Sequence, residues 1–528
     1  MSKTNRENNE WLAMKRRSFF KLAAGVAVGT ASVPMLASCA PEEEQPQQDS
    51  NVPSGTGQPD YDKIVRTVCA PNCVGSCGIN AFVKDDTIVK VEPAEFPDNA
   101  YHRICLRGIS NAMQRVYSPD RVKYPMKRVG ERGSGDFERI SWEEAIDLIY
   151  EKMQYNIDTY GPTANSFLGM TGNYGVFPQI MASLLAMTYD GTAFTNFGIM
   201  GDNACNMGFL PPLGVQQDAS AWEDLIGSKA IIMFGCNYAE TNMQEMHFIF
   251  DAQEAGSKLV VVDPRFSRTA AKADRWIPIR PGTDAAMVLG MMNHIVANKK
   301  YDEAYIRTYT NGAFLVDTET GKLVRIGEDY AVWDESAGKA VPVAAVPDEM
   351  KPAYPSVQVS GDLPKETEVP KTAALLGAFT VEVDGRSVEA KPSFQLLVES
   401  LDAYTPEAAS AICEVPADVI RESARFYANA ERGAIQWGLA FDTQNDSIQL
   451  CQTVSNLMSV CGNIDKPGTN ILVRNGFEIN PGYATAQLYC PPETFAKKLT
   501  VDVVHPGYVH FIGMADCDAV NQAFETGK

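Results

Sequence analysis

The sequence Cys69-Ala-Pro-Asn-Cys73-Val-Gly-Ser-Cys77, followed by Cys105 in Ile104-Cys105-Leu106-Arg107-Gly108, contains four cysteines in a three-plus-one arrangement. Four thiolates can hold either a structural zinc ion or an iron–sulfur cluster. Zinc sites usually contain two close pairs of cysteines. Three cysteines in one short loop and a fourth 28 residues later are more typical of the corners of a cubane. The pattern therefore predicts a [4Fe–4S] cluster on Cys69, Cys73, Cys77 and Cys105, with zinc, disulfides or structural thiols as the alternatives.

Composition sets the class of protein. The chain has 528 residues, of which 45% are apolar and 21% charged, which is ordinary for a globular protein. This length allows about three to four domains. The net charge of −20 argues against nucleic-acid binding, because phosphate contacts need clustered Lys and Arg. Twelve cysteines, most of them scattered, do not make a disulfide scaffold.

The first 39 residues predict a targeting segment. Lys15-Arg16-Arg17-Ser18-Phe19-Phe20-Lys21 has the order of a twin-arginine export signal, and an apolar run of 15 residues, 22–36, follows it. This run is too short to span a bilayer comfortably. Leu36-Ala37-Ser38-Cys39 has the form of a lipidation motif, with an ordinary cleavage site as the alternative. We therefore expect an exported protein on the outer face of the cell membrane or in the periplasm, with a lipid anchor at Cys39 as one option.

The next segments predict a tether and a small cysteine-bearing domain. Residues 40–60 are rich in Pro, Gln, Glu, Ser and Gly, so they cannot bury enough apolar surface to fold and form a linker. Residues 61–125 form the predicted iron–sulfur domain. Within it, Ile79–Val83 and Thr87–Val91 alternate around a turn and predict a hairpin that braces the cysteine loop.

A parallel sheet is predicted in the middle of the chain. Residues 229–235 and 258–262 are continuously apolar, as in strands that are buried on both faces, and the helix Met243–Glu254 lies between them. Ligands bind at the carboxyl ends of such strands. Three loops are candidates for this edge, namely Gly235-Cys236-Asn237, Asp263-Pro264-Arg265 and Arg280-Pro281-Gly282-Thr283-Asp284. No Gly-x-Gly-x-x-Gly or Walker loop is present, so an ordinary dinucleotide or P-loop site is not indicated.

Other elements follow from periodicity and caps. A helix is predicted from Trp142, where Ser141 and Glu144 form a capping box. A strand is expected at Ser166–Met170, and a strand and loop at 436–439. Residues 311–390 are polar and strand-like and predict an insertion. Further helices are expected at 180–187, 285–296, 404–430 and 448–460.

These motifs, taken together and in order, resemble the molybdopterin oxidoreductases of the dimethyl sulfoxide reductase family. The resemblance covers residues 65–475 and includes the cysteine loop, Ile104-Cys105-Leu106-Arg107-Gly108 and the segments 117–130 and 137–145. It also includes Asp263-Pro264-Arg265, the loop 280–284 and Gly462-Asn463.

The resemblance implies an α/β, multi-domain molybdopterin oxidoreductase fold. It comprises the small N-terminal [4Fe–4S] domain and doubly wound parallel-sheet domains. The molybdopterin domain would consist of residues 126–210 plus 431–528. Residues 211–430 would form a Rossmann-like molybdopterin domain that carries the insertion. Family members usually continue into a C-terminal β-barrel-like domain, which is not expected within these 528 residues.

The resemblance also assigns cofactors and their residues. The implied cofactors are the [4Fe–4S] cluster and molybdenum bis(molybdopterin guanine dinucleotide). Arg107 would lie between the cluster and the pterin. The dinucleotide arms would be held by Gly235, Asn237, Asp263, Arg265, Gly282 and Asp284, each of which has an ordinary turn or cap residue as its alternative.

The molybdenum ligand is expected in Gly201-Asp202-Asn203-Ala204-Cys205. Sulfoxide reductases of the family carry a serine where this chain has Ala204, which cannot ligate a metal. Cys205 is then the nearest candidate ligand and Asp202 the nearest acid–base residue, while a buried structural thiol is the alternative for Cys205. This departure weakens a plain sulfoxide-reductase assignment. Segments 309–324, 330–334 and 437–442 resemble the acetylene hydratase and catechol dehydroxylase branches.

The expected function is that of an exported catalytic subunit in anaerobic respiration. Electrons would pass through the cluster to molybdenum and reduce a small substrate, either a sulfoxide or N-oxide or an aromatic hydroxyl. Expected partners are an iron–sulfur electron-transfer subunit and a membrane anchor or quinol donor. The alternatives are a truncated, non-catalytic electron-transfer or assembly half that needs a partner chain, and a zinc-stapled binding protein.

Overall fold

The computed structural model describes most of the chain after residue 59. The described residues are 60–69, 77–110, 114–169, 185, 189, 191–195, 208–209, 212–213, 220–343, 369–383, 385–469 and 471–472. The predicted signal and lipidation site, nearly all of the linker, most of the helix predicted at 180–187 and residues 473–528 lie outside them. None of the helices in the described ranges combines the length and apolar character that crossing a bilayer requires.

The N-terminal sheet contains the predicted hairpin. Its strands are β1 (Lys63–Cys69), β2 (Cys77–Lys84) and β3 (Thr87–Pro93), antiparallel in the order β1-β2-β3. Asp85 and Asp86 form the β2–β3 turn, both with positive φ (48° and 56°), as a tight two-residue hairpin turn requires. The short helix α1 (Leu106–Ser110) follows.

The segment after α1 contains a hairpin, a long helix and a strand pair. Strands β4 (Met126–Arg128) and β5 (Phe137–Arg139) are antiparallel. Helix α2 (Trp142–Tyr160) begins as predicted, because the Ser141 side chain accepts a hydrogen bond from the Glu144 N–H. Its apolar side chains are largely exposed, with Trp142 at 67%. Strands β6 (Ser166–Gly169) and β7 (Thr192–Thr195) pair in parallel.

The central part of the chain alternates strands and helices as predicted. In order, these elements are β8 (Ala230–Phe234), α3 (Tyr238–Thr241), α4 (Met243–Glu254), β9 (Lys258–Val262), β10 (Arg275–Ile277), α5 (Asp284–Ala297) and α6 (Glu303–Tyr309).

The predicted insertion is built from strands in the residues that are described. These are β11 (Leu315–Asp317), β12 (Arg325–Ile326), β13 (Asp329–Asp334), β14 (Lys339–Val343), β15 (Phe379–Val383) and β16 (Arg386–Pro392). They form two antiparallel sheets of three strands, in the orders β11-β16-β15 and β12-β13-β14.

The last described part returns to helices and parallel strands. Its elements are α7 (Ser393–Ser400), α8 (Pro406–Cys413), α9 (Ala417–Ala428), β17 (Gly433–Trp437), α10 (Ser447–Val460) and β18 (Ile471–Leu472). The single helix predicted over 404–430 is therefore wrong, because two helices occupy this range. Glu414 adopts a left-handed conformation (φ 61°), and Pro416 disfavours helical geometry at the residue before it.

The five-stranded parallel sheet organises the core. Its strand order is β10-β9-β8-β17-β18. Residues 231 and 233 of β8 pack on one face with Met246 and Ile249 of α4. Residues 232 and 234 pack on the other face in the same cluster as residues of α5, α9 and α10. Helices thus cover both faces, as the prediction of a doubly wound α/β sheet requires.

The strand order reverses between β8 and β17. From β8 the chain proceeds outward to β9 and β10, then returns to place β17 on the opposite side of β8. The Tyr238 hydroxyl, just after β8, donates a hydrogen bond to the carbonyl oxygen of Trp437 at the end of β17 (3.3 Å). Such a reversal leaves a crevice at the carboxyl ends of the strands, which is where ligands bind in open α/β sheets.

The burial of β8 predicts which core residues dominate stability. Ile232 is fully buried at the centre of the sheet, so Ile232→Ala leaves a cavity and should lower the free energy of unfolding by about 2–5 kcal/mol. Ile64→Ala on β1, where the isoleucine is 48% exposed, is the matched control and should cost much less. Urea unfolding followed by tryptophan fluorescence measures both. Equal losses would contradict the assignment of β8 as the centre of the core.

Candidate functional site

Two of the four predicted cluster cysteines face each other. Cys69 ends β1, Cys77 begins β2, and the two are directly opposite in the antiparallel register. Residues directly opposite in such a pair have Cα atoms about 4.5–5.5 Å apart. The loop 70–76 that joins them contains Cys73, which lies outside the described residues. The β1–β2 pairing therefore holds two candidate ligands at the base of one loop.

Cys105 reaches the same region through α1. A Cβ atom on Gly108 would lie 3.1 Å from the Cys69 sulfur and 2.6 Å from Cγ1 of Ile104. Only a residue without a side chain lets the helix approach Cys69 this closely. Cys69 also shares a small apolar cluster with Cys77 and Ile104. The structure thus brings Cys69, Cys77 and the segment that carries Cys105 together.

The donor set fits an iron–sulfur cluster in chemistry. Cys69, Cys77 and Cys105 form no disulfides, and thiolates are the ligands that an iron–sulfur cluster takes. No group of three His, Cys, Asp or Glu side chains is already placed to hold a metal within the described ranges, which omit Cys73.

Arg107 joins the cysteine region to the parallel sheet. It follows Cys105 by two positions, and its Nη2 atom donates a hydrogen bond to the carbonyl oxygen of Glu240 (2.7 Å). Glu240 belongs to α3, which begins directly after the predicted Gly235–Asn237 loop. Arg107 therefore spans from the cysteine region to the strand-end edge, and its position between the cluster and the pterin stays a prediction.

The Gly235 loop is shaped by close backbone packing at the crevice. Gly235 has φ +53°, and a Cβ atom there would collide with Cβ of Ala440 in the loop after β17. A Cβ on Gly438 would likewise lie 2.9 Å from Cβ of Cys236. Burial, reinforced by Asp263, raises the pKa of the Cys236 thiol well above its usual range. Cys236 therefore stays protonated and acts as a core residue.

Asn237 and Glu240 form the centre of a polar network. The Asn237 amide donates to Glu240 Oε2 (2.6 Å), and its carbonyl oxygen accepts from the Thr269 hydroxyl (2.8 Å). The Glu240 carboxylate also binds Arg265 Nη2 and Arg268 Nε, each at 3.0 Å. The two arginine side chains are 67% and 79% exposed, so these ion pairs add at most about 1 kcal/mol each. These ion pairs instead fix the positions of the two guanidinium groups.

Asp263 shapes the second strand-end loop. Its carboxylate accepts a hydrogen bond from the Arg265 N–H (2.8 Å), and its carbonyl oxygen accepts one from the Trp276 indole (2.8 Å). Asp263 thus serves as a turn residue, which was the alternative to its predicted role in dinucleotide binding. It also holds Arg265 beside Glu240. Its assignment to a dinucleotide stays a prediction.

Asp284 is the buried carboxylate of the site. It opens α5, is 5% exposed, and accepts a hydrogen bond from Gln444 Nε2 (2.7 Å) across the crevice. Burial raises its pKa, and Asp446 and Asp263 add to the effect. The other amide atom of Gln444, Oε1, is buried and makes no hydrogen bond to described residues. Gly282, two residues earlier, has no atom within 4 Å of the position of a Cβ. The loop therefore offers an open backbone beside a buried acceptor and an unpaired amide oxygen.

Three members of this site were missed by the sequence analysis, namely Glu240, Arg268 and Gln444. Glu240 and Arg268 each lie three residues beyond a predicted position, Asn237 and Arg265, so a wider search around the strand ends could have found them. Gln444 lies 160 residues from Asp284, and no local pattern indicates their contact. Asp202 and Cys205 lie outside the described residues, so their roles stay predictions.

Comparison with protein-family models identifies the chain. Residues 62–118 match the model described as the molybdopterin oxidoreductase Fe4S4 domain. Residues 121–517 match the model described as molybdopterin oxidoreductase. The chain belongs to the molybdopterin oxidoreductase family. A [4Fe–4S] cluster and a molybdopterin are accordingly its cofactors. The cysteine pair, the Arg107 bridge and the open Gly282–Asp284 loop are the described features that fit these groups.

Individual relatives share parts of the chain. The perchlorate reductase subunit alpha of Dechloromonas aromatica is 32% identical over 402 residues, which are 72% of this chain and 43% of that protein. The dimethyl sulfoxide reductase DmsA of Escherichia coli is 36% identical over 282 residues, 50% of this chain and 34% of that one. The chain spans less than half the length of either relative. The solved acetylene hydratase from Pelobacter acetylenicus has a TM-score of 0.49 and 21% identity, covering 88% of this chain and 55% of that one.

The approach of α1 to Cys69 generates the first prediction for the site. Gly108→Ala places a methyl group 2.6 Å from Cγ1 of Ile104 and 3.1 Å from the Cys69 sulfur, so the packing of Ile104 and Cys69 around Cys105 must change. We expect a clear loss of bound iron, measured by iron analysis and visible absorbance after anaerobic purification. Leu106→Ala is the control, because this residue is on the same helix and 83% exposed. Full iron content in Gly108→Ala would show that this packing does not position a ligand.

The buried carboxylate generates the second prediction for the site. Because its pKa is raised, folded Asp284 holds its proton to a higher pH than unfolded Asp284, so its contribution to stability falls as pH rises from the ordinary value of 3.8 to the raised one. Asp284→Asn should therefore raise the thermal unfolding midpoint at pH 7–8, with a gain that shrinks toward pH 4. Each unit of pKa displacement corresponds to about 1.4 kcal/mol.

The exposed Asp402 provides the control, since Asp402→Asn should show no such pH-dependent gain. If Asp284 also binds the cofactor, Asp284→Asn should lower the guanine nucleotide released from the purified chain. A variant that is less stable than wild type at pH 8 would contradict the burial argument.

Proposed function

We propose that this chain belongs to the catalytic subunit of an exported molybdenum reductase with a bis(molybdopterin guanine dinucleotide) cofactor. Cys69, Cys73, Cys77 and Cys105 would hold the cluster, and the reaction would remove an oxygen atom from a small substrate with electrons from a donor and with protons, so that the oxygen leaves as water. When bound, the cluster supplies single-electron transfer and the molybdenum–pterin centre supplies the oxygen-atom chemistry. The protein contributes binding, orientation and electrostatics.

The observation that carries the proposal is the hydrogen bond from Arg107 to Glu240. It ties a residue two positions after Cys105 to a helix that begins at the carboxyl end of β8. The cysteine region and the ligand-binding edge of the sheet are thus in direct contact. An electron-transfer pathway between two cofactors needs such proximity, and a cluster that served only to staple the fold would not.

The residues at the sheet edge have roles that follow from their chemistry. Asn237 and Asp284 provide an amide and a carboxylate for the polar edges of a nucleotide, and Gly282 provides open backbone. Arg265 presents guanidinium donors that match phosphate oxygens and is held in place by Glu240. For Cys205 we propose ligation of molybdenum, and for Asp202 the transfer of the proton that accompanies oxygen removal.

Oxygen-atom removal is the reaction that the relatives favour. The two relatives described above are named as reductases of dimethyl sulfoxide and of perchlorate, and both names describe loss of oxygen from a small oxide. A sulfoxide or an N-oxide is therefore the substrate class that we propose first, and an aromatic hydroxyl is second. Export by the twin-arginine route, an iron–sulfur partner subunit and a membrane anchor or quinol donor complete the proposal, on the basis of the N-terminal motif and the family.

The test combines metal analysis with turnover. The chain is purified anaerobically and analysed by plasma mass spectrometry, and reduced viologen then serves as electron donor to dimethyl sulfoxide, an N-oxide or catechol. We expect about four irons and one molybdenum per chain and oxidation of the viologen by one of the oxides. Iron without molybdenum would indicate an electron-transfer half that needs another chain. Zinc without iron would refute the proposal.

Variants assign the two residues at the metal. Cys205→Ala should abolish turnover while the iron content stays unchanged, because we propose that this thiolate ligates molybdenum and not the cluster. Asp202→Asn should lower kcat by about 100-fold, the usual contribution of a positioned acid or base. Cys461→Ala, at the end of α10, is the matched cysteine control and should retain activity. Unchanged kcat in Cys205→Ala would remove that residue from the metal site.

A further inference from the structure

We propose that a cavity beside α1, lined by Arg107, Arg115 and Arg121, binds a diphosphate group. The cavity has a volume of about 700 Å³. Binding sites for small molecules usually enclose about 300–1,000 Å³. None of the residues predicted to hold the dinucleotide arms lines it. It is therefore a site distinct from the sheet edge, although Arg107 touches both.

The charge of the lining selects an anion. Three guanidinium groups face one carboxylate, Asp120, in a chain whose net charge is −20. Positive charge that is concentrated in a concave site attracts anionic ligands, even when the protein as a whole is acidic. Ser110, Ser118 and Gln114 add neutral hydrogen-bond donors to the wall.

Two of the arginines have donors to spare. The only hydrogen bond of the Arg107 guanidinium to described residues is the one to the Glu240 carbonyl oxygen, which uses one of its N–H groups. Arg121 has no ion-pair partner in the part of the chain that the structure describes. A guanidinium group carries five N–H donors in a planar fork, which matches the spacing of phosphate oxygens. The two forks are thus available to a ligand.

A turn fixes the backbone that carries Arg121. The Arg121 N–H donates to the carbonyl oxygen of Ser118 (3.1 Å), and the Asp120 N–H donates to the Ser118 hydroxyl (3.2 Å). This turn fixes the direction from which residues 120 and 121 enter the wall. A wall whose backbone is fixed before binding loses less entropy when the ligand arrives than a flexible loop would.

The number of arginines and the volume together favour a diphosphate over a single small oxyanion. One fork binds one carboxylate or phosphate in a bidentate manner. The two forks with spare donors, those of Arg107 and Arg121, at a cavity of this size match two linked phosphoryl groups. The source is either the diphosphate of a guanine dinucleotide cofactor or a free diphosphate. The first of these rests on the proposed function, and the second does not.

Isothermal titration of the full chain with inorganic pyrophosphate tests the site. The chain is produced in a host that cannot make molybdopterin, so that no cofactor occupies the cavity. We expect one pyrophosphate to bind, and Arg121→Gln to weaken binding about tenfold. Arg121→Lys, which keeps the charge and loses the fork, should give an intermediate value. Arg132→Gln, an exposed arginine in the β4–β5 turn, should bind like wild type.

The outcomes separate the possible ligands. Absence of pyrophosphate binding, or equal losses in the Arg121 and Arg132 variants, overturns the proposal. Binding of polyglutamate that depends on Arg121, without binding of pyrophosphate, also overturns it and indicates a surface for an acidic protein. With the cofactor-bearing chain, exclusion of pyrophosphate identifies the cofactor diphosphate as the ligand, and persistent binding identifies a free diphosphate.

The pyrophosphate titration does not depend on turnover. A chain that holds iron and molybdenum and reduces a sulfoxide, but does not bind pyrophosphate when cofactor-free, leaves the proposed function standing and refutes this site. A chain that binds pyrophosphate through Arg121 but reduces nothing supports the site and refutes the reductase.

Discussion

Burial of β8 on both faces is the constraint from which the arrangement of the site follows. All five of its residues are buried, and each neighbouring strand runs parallel to it. Parallel strands end at the same edge, so the loops after β8, β9 and β17 meet there whatever their sequences. The polar groups of the site accordingly lie at this edge, because that is where the chain leaves the apolar core.

Glu240 couples this edge to the cysteine region in two ways. Its carbonyl oxygen accepts the hydrogen bond from Arg107, and its carboxylate holds Arg265 and Arg268. One residue thus positions three guanidinium groups from two segments of the chain. The exposed ion pairs contribute little to stability, so their value lies in geometry. A shift of α3 would therefore change the geometry both at the cysteines and at the sheet edge.

The site also opposes stability in one place. Asp284 is a carboxylate in a buried position with Asp446 and Asp263 nearby; burial and these carboxylates raise its pKa, so its ionised form is unfavourable for the fold. A core residue chosen for stability alone would be apolar. The Gln444 amide spans the crevice and donates a hydrogen bond to this carboxylate, and binding of a ligand by Asp284 stays a prediction.

The sequence by itself determined the elements and the chemistry that depend on local patterns. The spacing of Cys69, Cys77 and Cys105, the apolar runs of β8 and β9, and the Ser141 cap of α2 all appear within short windows, because they depend on period, turn geometry and ligand type. The break at Glu414–Pro416 was available to the same reasoning and was missed, because the helical period on both sides concealed it.

Only the tertiary structure decided which distant residues meet. The contact of Gly108 with Cys69, the bridge from Arg107 to Glu240 and the pairing of Gln444 with Asp284 join residues that are 39, 133 and 160 positions apart. No local pattern encodes such contacts. They result from the packing of α1 against the N-terminal sheet and from the return of β17 to the side of β8. Both bring together segments that are far apart in the sequence.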